Sequence, residues 1–77
     1  MDLEWDELKR QDALERHGLD FADVVEFRWR SAVIEPDDRR DYGERRMIAY
    51  GYLHGRLSVL CFTERGPRLR VISLQRT

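Results

Sequence analysis

A single cysteine, Cys61, stands in the 77-residue sequence, so no intrachain disulfide can staple so small a fold. Two histidines and that one cysteine fall at unrelated spacings, which leaves no zinc pattern. Glycine-rich phosphate loops are absent. No apolar run approaches the length that a bilayer demands, and Met1 to Asp6 lacks the basic and apolar regions of a secretion signal. The expectation is a cytoplasmic chain with no membrane partner, no metal and no cofactor.

What is present is enough for one domain with a marginal core. Apolar residues make up 42% of the chain and recur with regular periods, while charged residues make up 38%. The net charge of -1 hides a division. Residues 1–38 hold 5 basic and 12 acidic side chains; residues 39–77 hold 9 and 3. A basic half that reads as β-hairpins implies a sheet displaying arginines, whose planar forks suit phosphate geometry.

The front half reads as helical. Asp6 is placed to cap a helix, Glu7 to Arg16 are mostly good helix formers, and Gly18 supplies a left-handed stop. A second short helix is expected from Asp20, with Phe21, Val24 and Val25 on one face, ending near Phe27 to Trp29. Ala32 to Ile34 is a short strand stopped by Pro36, followed by a polar loop from Asp37 to Gly43. Met47 to Leu53 and the apolar run Leu57 to Thr63 form a hairpin about His54-Gly55, the second strand being central. Gly66-Pro67 turns the chain into a last strand, Leu69 to Leu74. There, Leu69, Val71 and Ser73 are expected on one face and Arg68, Arg70 and Ile72 on the other. Leu3 to Trp5 adds an edge strand. The fold class is α+β: a short N-terminal strand, two helices, then an antiparallel sheet of about four strands, helices on one face and arginines on the other.

These residues, in this order, resemble the BrnT toxin family. Trp5-Asp6-Glu7-Leu8-Lys9 is similar to the family's W-D-x-x-K opening, and Arg16-His17-Gly18-Leu19-Asp20-Phe21 to K/R-H-G-V/L-x-F. Asp38-Arg39 with Asp41-Tyr42-Gly43-Glu44-Arg45-Arg46 resembles D-x-R-x-x-Y-G-E-x-R. Thr63-Glu64-Arg65-Gly66 and Arg68-Leu69-Arg70-Val71-Ile72-Ser73 resemble the T-x-R-G and R-I-I-S hairpin. Two departures stand out. Leu74-Gln75-Arg76-Thr77 occupies the place of Ala-Arg and a basic C-terminal helix, which is absent or truncated here, and Ala13 replaces a common Asn.

The resemblance implies a RelE-like fold and a type II toxin–antitoxin ribonuclease that cleaves mRNA without metal. It implies a BrnA-like antitoxin partner, through which alone DNA would be contacted. Cleavage would use the RNA 2′-hydroxyl as nucleophile, so the protein must remove a proton, neutralise the phosphate and assist the leaving 5′-oxygen. The residues expected to do so are Arg65, Arg70, Glu64 and Lys9, with Arg68, Arg46, Tyr42 and Arg76 binding RNA. Glu64 either orients Arg65 or acts as base. Bland readings stand beside these. Arg68 and Arg70 also make an ordinary solvated strand face, and Lys9 an ordinary helix surface. His17 suits the helix C-terminus, and Trp5 suits the core better than a base stack. Lys9 and His17, eight residues apart, are not expected to share one tight site. The rival function is a non-catalytic module that engages an antitoxin or forms a homodimer.

Overall fold

The computed structural model describes residues 1–77. Strand β1 (Asp2–Trp5) leads into helix α1 (Glu7–His17), a 3-10 helix (Phe21–Glu26) and a 3-10 turn (Trp29–Ser31). Four strands follow: β2 (Val33–Pro36), β3 (Met47–Leu53), β4 (Arg56–Arg65) and β5 (Arg68–Arg76). They form one five-stranded sheet in the order β1-β5-β4-β3-β2, antiparallel except where β1 runs parallel to β5. The α+β class therefore holds, with β1 joining the sheet.

Local chemistry sets the ends of α1. The Asp6 carboxylate accepts from the Leu8 and Lys9 amides at 2.9 and 3.4 Å. At the far end Gly18, at φ 66°, donates its N–H to the Leu14 carbonyl. The helix buries only Ala13, leaving Leu8 77% exposed. Arg10 fastens it, forking onto the Asp20 carboxylate at 2.8 and 3.0 Å.

The expected second helix is a 3-10 helix instead, and the difference decides what covers the sheet. At three residues per turn, positions three apart lie in line. Phe21, Val24 and Phe27 do so and are 1%, 0% and 4% exposed, whereas Val25 is 58% exposed. An α-helical face would have buried Val25 with Val24. With Leu19, these side chains meet Ala49, Leu53, Leu60, Phe62, Val71 and Leu74 on the inner face of the sheet.

The last strand also departs from simple alternation. The register pairs Cys61 with Ser73 but Phe62 with Val71, so Ile72 is an extra residue in a β-bulge. Leu69 and Val71 point inward as expected, while Ser73 shares the outer face with Cys61. Unbroken alternation from Arg70 would put Leu74 outside; the bulge returns it to the core, where it is 1% exposed. At the β3–β4 turn, His54 and Gly55 have φ 52° and 77°, the two positive angles that a tight two-residue hairpin requires.

Candidate functional site

The arginines gather at one end of the outer face. Hydrogen-bonding register sets Arg65 opposite Arg68 and Thr63 opposite Arg70, so Arg65, Arg68 and Arg70 share a face of the β4–β5 hairpin. Two of them already hold carboxylates. Arg70 pairs with Glu4, its neighbour on β1, at 3.5 Å, and Arg65 reaches Glu44 at 3.3 Å. Arg68 is exposed and has no such partner. Glu64 does not orient Arg65, because adjacent strand residues point to opposite faces; that task falls to Glu44.

Glu44 is a hub. Its second oxygen accepts from Arg46 at 3.1 Å, and the guanidinium of Arg46 lies 4.1 Å from the centre of the Tyr42 ring. Arg46 and then Arg65 hold the Glu44 carboxyl below the ordinary glutamate range, against the opposing push of burial. Tyr42 also lies under Arg40 at 5.4 Å, so a cation–π stack carries the loop toward the arginine end.

The base of that loop is an ion pair between a buried carboxylate and an exposed guanidinium. Asp37, whose side chain is 1% exposed, accepts from Arg39 Nε and Nη2 at 2.8 and 2.7 Å and from the Arg39 amide at 3.2 Å. Its amide donates to the Arg46 carbonyl, and Thr63 Oγ1 donates to the Arg45 carbonyl at 2.6 Å. The Arg39 side-chain fork, helped by the same residue's amide and by Tyr42, holds the Asp37 carboxyl far below the carboxylate range despite burial. A depressed carboxylate contributes stability above its unfolded pKa of about 3.9 and loses it as pH falls toward the folded value. Asp37→Asn should therefore lower the melting temperature at neutral pH, with the gap to wild type closing below about pH 4. Thermal melts by circular dichroism across that range check this; a constant gap contradicts it.

Beneath the arginine end, a cavity of about 770 Å³ opens where the strands finish. Trp29, Phe62, Met47 and Leu69 supply apolar lining, and Glu44, Arg45, Glu64 and Arg65 also line it. Trp29 meets Phe62 edge to face at 5.3 Å, and its indole Nε1 is buried without a hydrogen-bond partner. No sequence signal pointed to this cavity, because its walls come from both ends of the chain and from the 3-10 turn.

The other expected site residues lie elsewhere. Lys9 lines a groove of about 480 Å³ between α1 and β5, with Asp12, His17, Ser73 and Gln75. Lys9 and His17 therefore border one groove, and no hydrogen bond joins them there. Arg76 sits opposite Ser58, about 25 Å along β5 from Arg68 by strand rise. Trp5 packs against the core and donates to Glu7 at 3.0 Å, as its position at a strand–helix junction suggested. One further cluster escaped the sequence: donor atoms of Asp23, Glu26 and His54 lie within 4.8 Å of one another, His54 Nε2 being 3.0 Å from Glu26.

A family model described as ribonuclease toxin, BrnT, of type II toxin-antitoxin system matches residues 5–77. None of the curated proteins searched matches the chain.

Proposed function

The chain belongs to the BrnT family of ribonuclease toxins of type II toxin–antitoxin systems, and from that premise we propose that it cleaves mRNA in the cytoplasm without a metal ion, at the arginine end of its sheet. The observation that carries this is the shared outer face of Arg65, Arg68 and Arg70, with Arg46 beside them through Glu44. Arg68 offers the phosphate an unpaired guanidinium. Arg65 and Arg70 are held in place by single carboxylates that a phosphodiester can outcompete or share. Glu64 points to the opposite face of β4 from those arginines, so the proton of the 2′-hydroxyl passes to solvent water rather than to Glu64. The 2′-oxygen then bonds to phosphorus and the bond to the 5′-oxygen breaks, leaving a 2′,3′-cyclic phosphate and a 5′-hydroxyl whose proton comes from solvent.

A BrnA-like antitoxin is the proposed partner. Its binding would occlude the arginines, and any promoter DNA would be contacted through it.

The groove holding Lys9 and His17 supports a second reading, in which those two side chains supply the base and acid. Cleavage of a labelled RNA in excess EDTA separates the two. Under the first reading Arg65→Ala and Arg68→Ala each lower the single-turnover rate about 100-fold, while Lys9→Ala and His17→Ala stay near wild type. The reverse pattern moves chemistry to the groove. No cleavage above a buffer control at high protein concentration leaves the non-catalytic binding module.

A further inference from the structure

We propose that the uncovered part of the outer sheet face is a stacking platform for single-stranded RNA, with one base on Tyr50 and the next on Tyr52. It rests on the reading that the arginines bind RNA phosphates, and it carries the same strand onward across the sheet.

The first observation is placement. Register sets Tyr50 opposite Val59 and Tyr52 opposite Leu57, on the same side of β4 as Thr63 and Arg65. Both tyrosines therefore share the face of Arg65, Arg68 and Arg70. Tyr50 stands four residues along β4 and two strands across from Arg70. That is about 16 Å, which one strand of several nucleotides can bridge.

The second is exposure. The helical elements pack on the inner face. Nearer the arginines, the loop before β3 lies over the outer face, where Thr63 is buried and donates to the Arg45 carbonyl. Beyond Cys61, 9% exposed, that cover ends: Tyr50 is 36% and Tyr52 43% exposed. With Val33 and Leu57 they make a patch of four exposed side chains. Four fall well short of the roughly 20–30 residues a side that a stable protein interface uses. Flat bases suit the patch better than a second copy of the chain.

The third is spacing and charge. Tyr50 and Tyr52 are two residues apart on β3. Strand rise separates them by about 6.8 Å, twice the ~3.4 Å step of a stacked strand, so adjacent bases reach both rings only when splayed apart. The Tyr50 hydroxyl donates to Glu35 at 3.3 Å, which restrains its ring. Arg39, its side chain 68% exposed, is anchored on Asp37 two residues past Glu35. The exposed Arg28, whose amide donates to the Tyr52 carbonyl, forms no salt bridge. Exposed rings on a sheet with cations about them are what single-strand recognition uses.

The test uses a fluorescein-labelled, 2′-O-methylated octaribonucleotide of mixed sequence, which lacks the attacking hydroxyl and stays intact, and the same backbone with every position abasic. In anisotropy titrations, Tyr50→Leu and Tyr52→Leu should each bind the base-bearing octamer about tenfold more weakly than wild type. Tyr52→Phe, which keeps the ring, should bind it within about twofold of wild type. The abasic octamer should not distinguish wild type from either leucine variant, whereas Arg68→Ala should weaken both octamers alike. Leucine variants that bind both octamers like wild type, or weaken both equally, overturn the platform and leave the phosphate reading standing. Failure of wild type to bind either octamer overturns both. Light scattering should show a monomer; a dimer that Tyr52→Leu dissociates gives the face to a second copy and overturns the platform.

Discussion

Phe21→Ala should leave a large part of the chain unfolded at 37 °C. Phe21 is 1% exposed in a 3-10 helix that touches β1, β3, β5 and α1, so its ring fills the space where these elements meet. Removing a buried phenylalanine ring costs about 3–5 kcal/mol. A chain of 77 residues with no disulfide commands a total stability of only about 5 kcal/mol. Urea denaturation followed by circular dichroism measures the loss, and a midpoint close to wild type would contradict it. Val25→Ala is the matched comparison. An α-helical segment would bury Val25 and make the two substitutions comparable; the 3-10 helix leaves it 58% exposed, so its loss should stay within about 0.5 kcal/mol.

Gly51→Ala is expected to destabilise by about 2 kcal/mol, and to do so through the aromatic train rather than the backbone. Gly51 lies inside β3, where a β-carbon would stand 2.7 Å from Phe27 Cζ and 3.0 Å from Ala32 Cβ. The Phe27 ring must give way, and it is 4% exposed and edge-on to Trp29 at 4.8 Å. Its displacement reaches Trp29 and hence the cavity wall. Two readouts follow: a lower denaturation midpoint and a shifted Trp29 emission maximum in the Trp5→Phe background. Phe27→Leu, added to Gly51→Ala, should recover part of the stability by clearing the collision. A Gly51→Ala protein as stable as wild type, with unaltered emission, would show that the strand yields instead.

The residues that carry the family resemblance turn out to hold several structural posts at once. Asp6 caps α1, Gly18 ends it, and Asp20 both caps the 3-10 helix and anchors Arg10. Glu44 ties Arg46 and Arg65 together across the loop. A substitution at any of these is therefore expected to move stability and function together. For that reason the arginine variants above need a denaturation curve beside each rate. Arg68, exposed and unpaired, is the cleanest probe of the set because its removal leaves no carboxylate stranded.

Features held by neighbours in the chain could be read directly from the residues. The cap at Asp6, the stop at Gly18, the His54-Gly55 hairpin and the span Met47–Leu53 follow from side-chain and φ preferences acting over a few positions. The arginine-bearing face of the last strand followed from a period of two. Where distant segments must agree, those preferences were silent. The 3-10 winding won because a spacing of three lets Phe21, Val24 and Phe27 all meet the sheet, a benefit that exists only once the sheet is there. The bulge at Ile72 arose because Leu74 belongs with Leu60 in the core and strict alternation would have left it outside. Glu44 became the partner of Arg65, 21 residues away, and Met1, Trp29 and Leu69 came to line one cavity, through the packing of loop and 3-10 turn onto the paired strands. Short-range forces chose the elements; burial of a shared core chose their register, and with it which charges stand side by side.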